Sequence, residues 1–281
     1  TTEIYTLSLH DALPIFPALF AAYLRRAVPE SPRYLESAGR VNEADQLVRT
    51  MERQAGLEEY RAEGPSLYTG TDGKTRLSLG ELWSRKYIRS TFVLWVIWIG
   101  INFGYYGFVL WTPSLLVAQG FALVKSFQFT LIMCLAQLPG YFSAAYLVER
   151  IGRKRVLTIY FAGTAFAAWL FGHAGTVTQV LVYGSLLYFF SLGAWGCVYA
   201  YTPEVYPTVA RGSGTGWAAA FGRIGAFVAP MIVPLIYNAY GQESGFAYVF
   251  ALLTGVFAVV ALVVAVLGQE TMGKSLEEIS G

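Results

Sequence analysis

Six long apolar stretches dominate the chain from residue 91 onward, at 91–111, 127–148, 156–174, 178–201, 213–237 and 246–268. At ~1.5 Å of rise per residue, each is long enough to cross the ~30 Å hydrocarbon core of a bilayer as one helix. Lipid offers backbone amides and carbonyls no partner, so such a stretch must satisfy its own by forming a helix. The glycines and prolines inside them are tolerated because neighbouring helices restore the lost contacts. The expectation is therefore an all-α, polytopic membrane protein. A large water-soluble helical core is the competing reading, and composition opposes it. Only 14% of residues are charged, against about a quarter in a soluble domain. Cys134 and Cys197 lie inside apolar stretches with no zinc-like spacing, so neither a disulfide scaffold nor a metal centre is expected. A net charge of +2 is too small to point to nucleic acid.

Charge alternates between the hinges. Twelve Lys or Arg lie from Arg25 to Arg89, one near Lys125, four in "ERIGRKRV", none in "GHAGTV", one in "EVYPTVARG", none in "YNAYGQESG", and Lys274 in the tail. Basic residues favour the cytoplasmic side, which predicts residues 24–90, 149–155, 203–212 and the tail there. The polar segment 36–90 reads as an intracellular cap, helix-compatible over 36–56, with "LSLGELWSRKYIRS" as an amphipathic approach to the membrane.

Four charged stretches mark the hinges: "PESPRYL" at 29–35, "YLVERIGRKRVL" at 146–157, "YTPEVYPTVARGSGTGWAAAFGRIGAFVAP" at 201–230 and "QETMGKSLEEI" at 269–279. In that order and at those membrane positions, they resemble the major facilitator superfamily, in particular its sugar-porter and metabolite:proton-symporter members. The resemblance implies the C-terminal six-helix bundle of that fold plus the end of helix six. Residues 16–28 would be the end of helix six, 29–90 the central loop, 91–268 the bundle and 269–281 a cytoplasmic tail. It also implies an N-terminal six-helix bundle as partner, a monomer when complete, and alternating access of a small solute without a cofactor. Gly152 permits a tight turn. Glu149, Arg150, Arg153 and Lys154 stand where charge pairs could close one face of a rocking carrier. Glu204 and Arg211 flank the next hinge, and Glu30, Arg33 and Glu270 are candidates for the same network. The alternative is that these basic residues only set topology. Gly212, Gly214 and Gly216 suit a close helix approach.

"YTLSLHDALPI", residues 5–15, precedes an apolar run of ten residues that is too short to span. It lacks the basic start of a signal peptide. It resembles the in-frame translation of a sequencing adapter, so residues 1–15, with His10 and Asp11, are expected to be foreign to the protein.

Polar groups inside membrane spans point to function, because their burial in lipid is costly. Arg223 lies twelve residues after Arg211, ~18 Å deeper along a helix, and suits an anionic substrate or a carboxylate of the partner bundle. Asn102 and Tyr106 share a helix face, beside Tyr105. Gln128 and Gln137 add amides, and Tyr188, Trp195 and Tyr199 recur along one face. A cavity lined by these residues suits a small aromatic or organic acid, although each aromatic alone could be packing or an interface anchor. His173, at the outer end of its span, reads as surface rather than as a proton carrier. "WVIWIGINFGYYG" has the Ile101–Asn102 pair of sugar porters without their glutamine pair, which favours organic anions over sugars. Proton coupling is expected, yet no Asp or Glu lies well inside the spans. A sugar porter is the alternative within this class. A non-transporting membrane sensor is the alternative outside it, and an enzyme is not expected.

Overall fold

The computed structural model of the chain describes residues 20–21, 23–24, 28–56, 79–206 and 208–273. The adapter-like residues 5–15 and most of the expected end of helix six fall outside them. The chain divides into two compact units, Thr1–Thr75 and Arg76–Gly281.

In the first unit, α1 (Pro32–Ser37) and α2 (Val41–Gln54) form from the charged loop. Ser31 caps α1, its Oγ accepting from the Tyr34 N–H at 3.2 Å. Pro32 follows, at a position where its missing N–H costs nothing. The helix expected across 36–56 is interrupted, because Gly39 adopts φ 76 between the two segments. Arg40 Nε then donates to Glu43 at 2.8 Å. That hydrogen bond holds the Glu43 carboxyl below its usual range.

Among its described residues, the second unit holds six helices long and apolar enough to cross a membrane. After the short α3 (Leu79–Leu82) comes α4 (Ile88–Val109), then α5 (Thr112–Ala118). The next span, Leu123–Ile151, consists of α6 (Leu123–Leu135) and α7 (Gln137–Ile151). Two single-helix spans follow, α8 (Arg153–Gly172) and α9 (Val177–Glu204). The helical stretch Thr208–Leu267 is broken at Gly241, where φ is 72. It provides the last two spans, α10 (Ala210–Gly241) and α11 (Ser244–Leu267). Each of the six expected apolar stretches corresponds to one of these spans. Among the described residues the fold is all-α.

Side-chain contacts define the order of the bundle. α4 lies against both α10 and α11, since Gly222 and Gly225 approach Trp98 and Ile99, while Gly100, Gly104 and Gly107 face Val260, Phe257 and Leu253. α11 meets α8 through Phe171–Phe250 (4.8 Å) and Phe161–Phe257 (6.4 Å). α8 meets α9 through Tyr160–Phe190 at 5.7 Å, and α9 packs on α7 and α6. The α6–α7 span and α10 are the least covered, with 22% of each span's most apolar window buried. Phe127, Leu131, Phe142 and Tyr146 on one, and Ile224, Phe227, Met231 and Leu235 on the other, stand exposed.

The basic-rich hinges meet at one end of the bundle. There Arg89 Nε donates to the Leu267 carbonyl at 2.8 Å. The Tyr201 hydroxyl bonds both the carbonyl and the N–H of Gln269, each at 2.9 Å. At the opposite end α9 opens with a capping box. The Gln179 N–H donates to Thr176 Oγ1 at 3.3 Å, and Gln179 Oε1 accepts from the Thr176 N–H at 3.2 Å. Thr176→Ala is expected to cost about 1 kcal/mol of stability, read as a lowered thermal unfolding midpoint of the detergent-purified protein.

Candidate functional site

Two constellations bring predicted residues together, one inside the bundle and one at its basic end. The inner one is an aromatic cluster between α4 and α9. Trp98 meets Trp195 and Tyr199 edge-on at 5.9 and 5.5 Å. Trp195 stacks on Tyr199 at 5.6 Å, and Tyr105 meets Trp195 at 5.9 Å and Tyr106 at 5.7 Å. Edge-to-face pairs of this kind add about 0.5–1.5 kcal/mol each beyond their burial, which favours this arrangement of the rings. Trp98 Nε1 donates to Thr202 Oγ1 at 3.0 Å, and that hydroxyl donates to the Val198 carbonyl at 2.6 Å. Tyr199 is 59% exposed, which gives the cluster an open side.

Trp195 Nε1, Ser191 Oγ and Asn102 Oδ1 are buried with no hydrogen-bond partner among the described residues. An unmet buried polar group costs about 1–3 kcal/mol, which a polar ligand or water would offset. Flat ring faces beside an indole N–H can stack a planar ring and donate to its carboxylate.

The remaining predicted residues are distributed around this cluster. Asn102 is 1% exposed. Its Nδ2 donates to the Trp98 carbonyl at 2.8 Å, and it packs against Gly222 of α10. Gln137 is half-buried at the start of α7. Tyr188 is fully buried and meets Phe108 at 5.0 Å, so it packs behind the cluster and not on its open side. Gln128 stands exposed on α6. Arg223 is exposed on α10. At ~100° per residue it points well away from Gly222 and Gly225, which face α4. His173 is exposed at the end of α8, where its Nδ1 bonds the Trp169 carbonyl at 2.7 Å. Trp98 was absent from the predicted set. Its signal was present, since it lies four residues before Asn102 and seven before Tyr105 on one helical stripe.

The second constellation joins α7, α8, α9 and the segment after α11. Gly152, at φ 95, separates α7 from α8. A side chain there would collide with Glu270. Glu270 Oε1 accepts from the backbone N–H of Arg153 at 2.8 Å and of Thr271 at 3.1 Å. The carboxylate thus caps the first turn of α8, where the helix dipole favours negative charge. The Arg153 side chain bridges Glu204, with Nε 3.0 Å from Oε2, and Glu149, with Nη2 2.9 Å from Oε1. Thr271, which the predicted network lacks, adds a 2.6 Å bond from its Oγ1 to Glu204. Glu149, Gly152, Arg153, Glu204 and Glu270 are therefore assembled.

Arg150 lies over the Tyr146 ring at 5.3 Å instead. Lys154 is half-buried beside Arg155 and Ile151, and Arg211 is half-buried at the start of α10. Glu30 belongs to the first unit and is exposed, and the side chain of Arg33 lies outside the described residues. Of the three glycines after this hinge, Gly214 faces the Tyr206 ring, whereas Gly212 and Gly216 face open space. Only the first is a close-packing position.

Comparison with known proteins gives the following. The model of the family described as "Sugar (and other) transporter" matches residues 7–281. A niacin transporter of Acinetobacter baylyi is 46% identical over 263 residues, 94% of this chain and 58% of that protein. An inner membrane metabolite transport protein of Escherichia coli is 29% identical, over 89% of this chain and 56% of its own length. The chain thus spans little more than half the length of these relatives. Among solved structures, a proton:xylose symporter of the major facilitator superfamily, bound to 6-bromo-6-deoxy-D-glucose, superposes with a TM-score of 0.70. It is 22% identical, and the alignment covers 96% of this chain and 57% of that one.

Proposed function

The chain belongs to the sugar (and other) transporter family, and from that premise we propose that it forms the C-terminal half of a secondary carrier for small aromatic organic acids. The observation that carries this reading is the α4–α9 aromatic cluster with its buried, unpartnered Trp195 N–H. Trp98, Tyr105, Tyr106, Trp195 and Tyr199 would stack a planar ring. Asn102, Gln128 and Gln137 would supply polar contacts, with Tyr188 holding the cluster from behind. Arg223 would meet the substrate carboxylate or an acid of an N-terminal bundle. That bundle would lie over the bare apolar faces of the α6–α7 span and α10, completing a monomer. The niacin transporter among the relatives supports an aromatic acid as substrate.

The Arg153 network would act as a gate. It ties α7, α8, α9 and the tail at one end, and breaking it would let that end open in an alternating-access cycle, driven by protons. Glu149, Arg150, Gly152, Lys154, Glu204, Arg211 and Glu270 belong to this gate, with Glu30 and Arg33 as contributions of the central loop. The concentration of basic residues at the same end would place it in the cytoplasm of a bacterial inner membrane.

Nicotinate binding by the purified protein, read as quenching of tryptophan fluorescence, tests the substrate class. Nicotinate is expected to quench and xylose not to. Trp195→Ala should weaken binding about tenfold, the equivalent of one good aromatic contact. Quenching by xylose alone would establish the sugar-porter alternative, and quenching by neither would refute a carrier site at this cluster.

A further inference from the structure

A groove of about 490 Å³ runs along the seam of α4 and α11, lined by Val96, Ile99, Leu252, Gly255, Val256 and Val259 among others. Every lining side chain is apolar, and the groove sits within two membrane spans. It is unrelated to the aromatic cluster. At ~100° per residue, Val96 and Gly100 stand on the side of α4 opposite Trp98, Asn102 and Tyr105. Gly255 opens it, since a Cβ there would meet nothing within 4 Å.

One charged residue shares this face. Arg89 precedes Val96 by seven positions and Gly100 by eleven, so the three lie in one stripe along α4, with Arg89 ~10 Å from the start of the groove. Its Nε is tied to the Leu267 carbonyl at 2.8 Å, which holds the guanidinium across the same α4–α11 seam at the basic end of the bundle. Its terminal nitrogens form the fork that phosphate oxygens accept in pairs. Arg85 and Lys86 stand exposed in the turn just before and add positive potential at the level of lipid headgroups.

A basic end and an apolar trough in register have the chemistry of a lipid with an anionic head. We propose that this face binds one anionic phospholipid, its phosphate on Arg89 and one acyl chain along the groove over Val96, Gly255 and Val259. A zwitterionic lipid would place a second, positive charge among the same three cations. A free phosphate would leave the groove unfilled.

Native mass spectrometry of the protein in neutral detergent tests this, with phosphatidylglycerol and phosphatidylcholine of identical acyl chains added in equal amounts. Phosphatidylglycerol is expected to be retained about fivefold more, the effect of one cation near a headgroup. Arg89→Gln should bring the two lipids to parity, and Arg89→Lys should restore most of the preference. Gly255→Leu, which fills the trough, should reduce retention of both lipids several-fold. Val259→Phe serves the same purpose should the glycine variant fail to give a monodisperse protein. Equal retention of the two lipids by the unaltered protein would overturn the assignment. So would undiminished phosphatidylglycerol retention once the groove is filled, or full displacement by glycerol phosphate, which would reduce the feature to a surface phosphate site. Lipid retention is read without transport or nicotinate, so its failure leaves the carrier reading untouched.

Discussion

Gly140→Ala is expected to destabilise the bundle by roughly 3 kcal/mol, at the upper end of ordinary overpacking. An added Cβ at this position in α7 would run into the carbonyl of Phe189, with the Phe189 Cα at 3.0 Å. Backbone cannot rotate away as a side-chain tip can, so α7 and α9 would have to separate. Their separation would also loosen the facing site at Gly193, whose own Cβ position lies 2.9 Å from the Gly140 carbonyl and against the Tyr160 ring. Substitutions at Gly140 and Gly193 should therefore be strongly non-additive, because they break one shared approach. Gly216→Ala is the control. It meets nothing within 4 Å and should be neutral or stabilising by ~0.5–1 kcal/mol in a helix interior. In thermal unfolding the first variant should lose about 6–12 °C. A loss indistinguishable from that of the Gly216 variant would mean that the α7–α9 approach is not close.

Arg153→Ala should be the most damaging single change among the charged side chains, at roughly 2 kcal/mol. Its guanidinium is 14% exposed and serves two carboxylates, with Glu204 at 31% exposure and Glu149 at 69%. The Glu149 pair lies largely in solvent and adds little. Most of the loss comes from Glu204, which would keep only its Thr271 bond. Arg153→Lys should recover less than half, since a single ammonium cannot reach both acceptors in the planar geometry of the fork. Glu149→Gln should be nearly silent. Unfolding midpoints of the three variants check this ranking. Equal losses for Arg153→Ala and Glu149→Gln would mean the network acts only as surface charge.

Apolar length was the legible part of this chain. The stretch read as 178–201 became Val177–Glu204, and 91–111 became Ile88–Val109, because a bilayer-spanning helix leaves the backbone no alternative. The charged hinge was legible for a related reason, since acids and bases in "ERIGRKR" and "PEV" can meet only outside the hydrocarbon. Position around each helix was not legible. A span apolar on every side shows little preferred face, so nothing in the sequence separated Tyr188, which is buried behind the cluster, from Tyr199, which stands at its opening. Trp98 is the exception, since its spacing from Asn102 and Tyr105 puts it on their stripe. Gly212, Gly214 and Gly216 share one spacing, yet only Gly214 has a neighbour, because a stripe of small residues says nothing of what stands opposite it. The break at Gly39 depends on one residue in the left-handed region, and helix-compatible composition runs through it unmarked.

The carboxylate that caps α8 has a consequence for the order in which the chain is made. α8 begins at Arg153, but its first N–H is satisfied by Glu270, 117 positions further on. During vectorial synthesis, therefore, α8 enters the membrane with that terminus unsealed and remains so until three further spans have been threaded. The seal arrives only with the segment that follows the last of these spans. A chain halted after Leu267 would contain these six spans and still lack the carboxylate that caps α8.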